Sequence, residues 1–210
     1  ARAFLRDLAE HEKKGQWPRL ILIRLGNNHT QGTTPGAPTP FAQVADNDLA
    51  LGRIVEAITR SRFWPRTAIF VLEDDAQNGP DHVDSHRSPA FVISPYVRRG
   101  SIDSTMYNTT SMLRTMELIL GIGPMTHFDA GARPMHACFT SKPDPRPFAS
   151  VPARVSLDEV NPRMSATAAR SLKLDFREAD LIDDDELNEI LWIAVRGTTP
   201  PAPTRSYFAH

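Results

Sequence analysis

The chain has 210 residues, of which 40% are hydrophobic and 23% are charged, and this composition is typical of one globular domain with a substantial core. Its net charge of -1 provides no basic field for nucleic acid or an anionic membrane, and no apolar run is long enough to span a bilayer. The single cysteine excludes an internal disulfide framework and a cysteine-rich zinc cluster.

The predicted elements begin with a helix and a strand. Residues 3–14 carry apolar side chains at helical spacing, and Gly15 is a typical helix stop. Residues 19–25 form a short, nearly continuous apolar run that predicts a buried strand. Residues 26–40 are rich in Gly, Pro, Thr and Asn, and we expect a long loop there.

The middle of the chain repeats this alternation of helices and strands. Residues 41–60 have a wide apolar helical face, and residues 111–120 predict a further helix that ends at Gly121. Between them, residues 67–72 and 90–93 predict two buried strands. Strands that are apolar on both faces and alternate with helices predict a layered α/β/α domain with a mostly parallel sheet.

The last third of the chain differs in character. Residues 142–152 are rich in Pro and polar residues, which predicts a linker or a wrapping arm. Residues 157–174 and 183–195 are candidate helices, and the acidic run at 183–186 is interpreted as favourable charge at a helix start. We therefore expect a domain over 1–140, an arm with C-terminal helices over 141–196 and a flexible tail over 197–210.

An unusual cluster of polar side chains follows the predicted strand at 67–72. Residues 73–86 hold five acidic residues and two histidines in one loop. Ligands of open α/β sheets bind beyond the carboxyl ends of strands, and carboxylates gathered there need a positive charge to offset their repulsion. A divalent metal ion would supply it, with Zn, Mn or Fe suited to mixed ligands and Mg or Ca to an all-oxygen set. The alternative is a solvated acidic loop with two incidental histidines.

His29 is a second candidate ligand, because it follows the first predicted strand and would lie at the same edge of the sheet. A lone loop histidine is otherwise a surface residue.

These segments resemble the bacterial phosphoesterase family. The resemblance covers residues 19–140 and includes the run from Val71 to Asp75, Asp81-His82-Val83 and the run from His86 to Tyr96. The family includes acid phosphatases and phospholipases C, and it is part of the alkaline phosphatase superfamily. The resemblance implies metal-dependent hydrolysis of phosphate esters, with a phosphorylated small molecule or a phospholipid as substrate.

The resemblance also implies the ligand set. Asp74 and Asp75 resemble the acidic pair that holds one metal, and His86 resembles the histidine that holds the other. His29 resembles the histidine of an earlier metal-binding loop, and His82 matches the family's Asp-His-Val. Family members are often exported, so the resemblance implies a periplasmic or secreted protein, although the chain carries no signal-peptide pattern.

Two departures from the family pattern bear on activity. Asn28 stands where relatives commonly carry Asp, and a neutral amide is a poorer metal ligand than a carboxylate. The Ser or Thr nucleophile of the superfamily has no counterpart before residue 19, so we expect the N-terminal part of the fold to be missing from this chain. Thr33, Thr34 and Ser85 are available hydroxyls, but none is assigned as the nucleophile. A non-catalytic domain that keeps the fold is the alternative function.

Overall fold

The computed structural model describes residues 1–73, 88–178 and 181–201. Helix α1 spans Arg2–Lys14 and ends at Gly15, whose φ of 67° is a left-handed conformation that glycine adopts without strain. Helix α2 spans Pro40–Arg60 and begins at Thr39, whose side chain accepts a hydrogen bond from the Ala42 amide at 3.2 Å. Both helices were predicted, within one residue at each end.

The main core lies where α1 crosses α2. Leu8 of α1 packs with Ile54 and Ile58 of α2 and with Trp64, and all four side chains are buried. Trp64 belongs to the 3-10 turn Trp64–Arg66, which follows α2 directly. The apolar faces read from the sequence therefore pack against each other, as their helical spacing requires.

Strands β1 (Ile69–Leu72) and β2 (Ala90–Ile93) form a two-stranded antiparallel sheet, with Ile69 opposite Ile93 and Leu72 opposite Ala90. Both strands were predicted, and the mixed α/β class is confirmed. A parallel sheet is not seen in the part of the chain that the structure describes. The prediction that both strands are buried is wrong, because β1 is half-buried throughout and the Phe91 side chain of β2 is 53% exposed.

The strand predicted at residues 19–25 is not formed. These residues lack regular secondary structure, and the Leu22 side chain is 85% exposed. An apolar, β-branched run becomes a strand only when a neighbouring strand pairs with its backbone. Within residues 1–73, 88–178 and 181–201, the two paired strands are β1 and β2.

Helix α3 spans Thr109–Leu120 and confirms the helix predicted at 111–120. Its start is fixed by a capping box between Asn108 and Ser111, and its end is the left-handed Gly121. A short helix, α4 (His127–Ala130), packs against it. None of the described helices is both long enough and apolar enough to cross a lipid bilayer.

Residues 144–150 are a wrapping arm that is fastened to the core. The Trp64 indole donates a hydrogen bond to the Pro145 carbonyl at 3.0 Å, and the Phe148 amide donates to the Thr59 hydroxyl at 3.1 Å. The Ser150 hydroxyl donates to the carboxylate of Glu56 at 2.6 Å. Of the two alternatives that the composition left open, the arm is therefore the one that forms.

The helix predicted at 157–174 is wrong except for one turn, α5, at Ala168–Ser171. The backbone of the preceding residues bonds to the loop at 36–39 instead: the backbone amide of Asn161 donates to the Ala37 carbonyl at 2.8 Å.

Helix α6 spans Asp184–Arg196 and confirms the last predicted helix. Asp183 caps it by accepting from the Glu186 amide at 3.0 Å, as the interpretation of the acidic run requires. Most of the predicted tail, residues 202–210, lies outside the described residues.

Candidate metal and phosphoester site

His29 lies in a short 3-10 turn, Asn27–His29, at the start of the predicted loop. The turn closes with a hydrogen bond from the Thr30 amide to the Asn27 carbonyl at 3.0 Å. The Asn27 side chain donates to the Asp46 carboxylate of α2 at 2.6 Å, which ties this turn to the helix. His29 is half-buried in this setting.

The residue after His29 is held in a strained conformation. Thr30 has φ 65° and ψ 178°, a region that residues other than glycine rarely occupy. The side chain of Thr30 is buried, and its hydroxyl accepts a hydrogen bond from the Gly32 amide at 3.2 Å. Such strain persists only when surrounding contacts hold the backbone in place. Contacts with residues outside the turn Asn27–His29 therefore fix its conformation.

A cavity of about 350 Å³ opens beside His29. Two segments that are far apart in sequence form its walls: the His29 loop and the chain between α5 and α6. The lining is mainly polar and includes two arginines, and its residues are Arg24, Gly26, Asn27, His29, Thr30, Gln31, Pro38, Gln43, Phe176, Arg177, Glu178 and Ile182.

Charge around the cavity is partly balanced. The Arg177 guanidinium donates to both oxygens of Asp175, at 2.8 and 3.0 Å from Nε, and lowers the pKa of Asp175 to about 2. Arg177 therefore presents its charge as part of an ion pair, whereas Arg24, which also lines the cavity, is exposed. Glu178 adds a carboxylate to the same lining, so the cavity presents two guanidinium groups, one of them paired with Asp175, together with an imidazole and a carboxylate.

The predicted acidic loop begins where the sheet ends. The Glu73 amide donates to the Pro89 carbonyl at 3.2 Å, which extends the pairing of β1 and β2 by one residue. Asp74, Asp75, His82 and His86 lie outside the described residues, so four of the five predicted ligands are not placed. In the ranges 1–73, 88–178 and 181–201, no group of three or more His, Cys, Asp or Glu side chains is arranged to hold a metal ion.

The one described ligand candidate fits a divalent metal in its chemistry. The His29 imidazole is half-buried on the wall of a polar cavity, and neutral imidazole is a good ligand for Zn, Mn or Fe. The argument that placed His29 at the same sheet edge as Asp74 is wrong in its premise, because residues 19–25 do not form a strand. Asp74 and Asp75 lie outside the described residues, so their position relative to His29 stays a prediction.

The hydroxyls considered as nucleophiles have other partners. The Thr33 hydroxyl is buried and bonds to Thr167 at 2.7 Å and to Ser171 at 3.0 Å. The Thr34 hydroxyl donates to the Gln31 carbonyl at 2.8 Å, and Ser85 lies outside the described residues. Thr33 therefore has a structural role, and none of these hydroxyls gains support as a nucleophile.

Sequence reasoning missed the contribution of the C-terminal third to this site. Phe176 and Arg177 line the cavity, and Asn161 bonds to the loop that follows His29. No local pattern marks these residues, because Asn161 and its partner Gly32 are 129 positions apart in sequence.

Comparison with known families finds one match, which covers the central part of the chain. Residues 37–123 match the model of the Phosphoesterase family, a stretch that contains α2, both strands, the acidic loop and α3. The resemblance to the phosphoesterase family is thereby confirmed for this stretch, which indicates hydrolysis of phosphate esters in general terms. His29 precedes it, and the C-terminal wall of the cavity follows it. No curated protein and no solved structure matches the chain.

Proposed function

We propose that the chain is part of a metal-dependent phosphoester hydrolase of the acid phosphatase and phospholipase C kind. The observation that carries the proposal is the family match over residues 37–123, because it contains the loop with four of the five predicted ligands. The substrate class is a phosphorylated small molecule or a phospholipid. The mostly parallel layered sheet and export to the periplasm or medium are parts of the same proposal.

In this proposal, His29, Asp74, Asp75, His82 and His86 hold divalent metal. A bound divalent ion would activate the nucleophile and stabilise charge on the phosphoryl and leaving oxygens. Zn, Mn or Fe suits the mixture of imidazole and carboxylate ligands, and Mg or Ca remains the alternative for an oxygen-only set.

The protein's own side chains have three roles. The carboxylates of Asp74 and Asp75 balance the cation charge and are ionised at neutral pH without assistance. His29 adds a directional ligand on the cavity wall. Arg24 and Arg177 attract the negatively charged ester into the cavity and orient it. No Ser or Thr of this chain is assigned as the nucleophile, and Thr33 is engaged in structural bonds.

The test is a phosphatase and phosphodiesterase assay of the full-length gene product with added Zn²⁺ or Mn²⁺. We expect the Asp74→Ala and Asp75→Ala variants to lose nearly all activity, because the proposed cation would lose its counter-charge. The control is Asp184→Ala, which changes an acidic residue of the first turn of α6. Wild-type rates in Asp74→Ala and Asp75→Ala would refute the proposal.

A non-catalytic binding domain is the second candidate, and Asn28 favours it. An amide at this position weakens a metal site relative to the carboxylate that relatives commonly carry. Under this alternative, the full-length product would bind a phosphate ester without turnover, and Asn28→Asp would strengthen metal binding. Turnover by the unaltered full-length product excludes the alternative.

A further inference from the structure

Large apolar side chains are concentrated on the surface at the C-terminal end of α3. Within residues 118–128, five such side chains are between 49% and 80% exposed, and together they are named the apolar tip: Leu118, Ile119, Ile122, Met125 and Phe128. Single exposed apolar residues are ordinary on a protein surface, but a concentration of them marks a surface that binds a partner or a membrane.

The backbone at the apolar tip has hydrogen-bond partners where α3 ends. The last carbonyls of a helix lack partners within the helix, and water usually supplies them. Here the Glu117 carbonyl accepts a hydrogen bond from the Ile122 amide at 3.0 Å. The Leu120 carbonyl accepts a hydrogen bond from the Arg19 guanidinium. These two carbonyls can therefore enter an apolar medium without losing a hydrogen bond to water.

A buried carboxylate holds the second half of the apolar tip. Asp129 of α4 is 1% exposed and accepts hydrogen bonds from the Met125 amide at 2.6 Å and from the Thr126 amide at 2.8 Å. The Thr126 hydroxyl also donates to this carboxylate. These bonds fix the turn that carries Met125 and Phe128, so a partner can bind both side chains without the entropy cost of ordering a flexible loop.

The charges around the apolar tip favour an anionic surface. Residues 117–135 contain two carboxylates, Glu117 and Asp129, and each is 1% exposed. The other ionisable side chains of this segment, His127 and Arg133, are exposed. Arg19, which is bonded to the end of α3, is also exposed. Residues 117–135 therefore present apolar side chains and a cation to solvent, and no exposed carboxylate.

We propose that the apolar tip is a docking surface for an anionic phospholipid bilayer. Its Leu, Ile, Met and Phe side chains carry no group that needs a hydrogen bond in the acyl region, and Arg19 and Arg133 would meet the lipid phosphates. The tip contains neither Trp nor Tyr, the aromatic residues that most often anchor protein partners. A lipid surface therefore fits the tip better than a protein surface does.

The apolar contact contributes most of the binding in this proposal. The net charge of -1 supplies no long-range attraction to an anionic membrane, so the two arginines act only at short range. Docking itself is independent of catalysis. Its consequence, that the substrate is a phospholipid within a bilayer and not a dissolved ester, rests on the function proposed above.

The experiment measures co-sedimentation of the full 210-residue chain with vesicles of phosphatidylcholine, alone or mixed with phosphatidylglycerol. We expect binding to the mixed vesicles and weaker binding to the neutral ones. The variant Met125→Ser/Phe128→Ser should bind mixed vesicles about tenfold more weakly or less, because two apolar side chains no longer enter the bilayer. Ile119→Ser, in the other half of the tip, should act in the same direction and provides a second test.

The charge of Arg133 is tested separately. Arg133→Gln should lower the preference for mixed over neutral vesicles by roughly threefold to fivefold, because one cation near an anionic surface is lost. An unchanged preference in Arg133→Gln would contradict the choice of an anionic bilayer.

The matched control is Ile102→Ser/Met106→Ser. These side chains are 94% and 91% exposed, but they precede the start of α3, whereas the tip lies at its end. We expect the control to bind vesicles within about twofold of wild type. Equal binding by wild type and the tip variants, or an equal loss in the control, would overturn the proposal. A dimer of the wild-type chain that the tip variants dissociate would instead assign the tip to a second copy.

Assays of the full-length gene product separate docking from the proposed function. We expect Met125→Ser/Phe128→Ser to reduce hydrolysis of vesicle phospholipid and to leave hydrolysis of a dissolved short-chain phospholipid at the wild-type rate. Hydrolysis of the dissolved substrate without vesicle binding would overturn the docking surface alone, because another part of the polypeptide would then cover the tip. Vesicle binding without hydrolysis of either phospholipid would remove the substrate assignment and leave the docking surface in place.

Discussion

Replacing Trp64 with Phe tests whether the arm at 144–150 is part of the cooperative fold. The indole is 2% exposed, donates a hydrogen bond to the Pro145 carbonyl at 3.0 Å and meets the Phe148 ring edge-on. Phe keeps a ring in the core but loses the donor and part of the apolar contact. The lost hydrogen bond is worth about 1 kcal/mol, and the smaller ring costs about 1 to 2 kcal/mol.

We therefore expect Trp64→Phe to lower the free energy of unfolding by about 2 to 3 kcal/mol. Urea unfolding followed by far-UV circular dichroism measures this as a midpoint lowered by about 1 to 2 M, for a typical dependence on denaturant. The control is Trp17→Phe, because the half-buried Trp17 stacks on Phe63 and a Phe ring can keep that stacking. Equal, small shifts in the two variants would show that the arm is not fastened by Trp64.

Three further outcomes are expected. Hydrogen bonds, first of all from Thr126, hold the pKa of the Asp129 carboxyl well below its usual range. The ionised carboxylate therefore contributes its full stabilisation above about pH 4, and this contribution is lost as the pH falls towards the pKa of the folded state. Asp129→Asn should therefore unfold at a lower temperature than wild type at pH 7, and this difference should shrink at pH 2; a constant difference would contradict the assignment. Arg177→Gln in the full-length gene product should raise KM for a phosphate ester by roughly threefold to tenfold with little change in kcat, since the arginine attracts ground state and transition state alike; an unchanged KM would exclude it from substrate binding. Burial, with the Asp103 carboxylate nearby, raises the pKa of the Cys138 thiol, so alkylation at pH 7 should be slower than for a free thiol and should accelerate in Asp103→Asn; a rate equal to that of free cysteine would contradict this.

The helices were predictable because their signals are local. The apolar spacing of α1, α2 and α3, together with stops such as Gly15 and Gly121, depends on residues within a few turns of each other. The same holds for α6, whose acidic first turn and Asp183 cap stand next to each other in the sequence.

The two elements that failed did so for different reasons. Residues 19–25 have the composition of a strand, but a strand requires a paired neighbour, and composition does not reveal one. Residues 157–174 contain Asn161-Pro162, and proline in a helix interior removes a backbone donor and disfavours helix at the residue before it. The backbone at Glu159 and Asn161 bonds to the loop at 36–39 instead. The first failure reflects a missing tertiary partner, and the second reflects a local break that was visible in the sequence.

The residues of the candidate site also fall into two groups, those that the sequence identifies and those that it does not. His29 could be singled out because it follows an apolar run and precedes a Gly-rich loop, although the run itself does not form a strand. Asn161, Ser171 and Arg177 could not be singled out, because each acquires its role only when the C-terminal third packs on that loop. The ligand roles of Asp74, Asp75, His82 and His86 remain predictions.

Calorimetric titration of the chain with Zn²⁺, compared with the Asp74→Asn/Asp75→Asn double variant, tests the central claim most directly. A control double variant, Asp184→Asn/Asp185→Asn, removes the same charge from the first turn of α6. The account predicts saturable Zn²⁺ binding that is retained in the control and lost when both loop carboxylates become amides. Equal Zn²⁺ binding by all three proteins, or none by the unaltered chain, would contradict it.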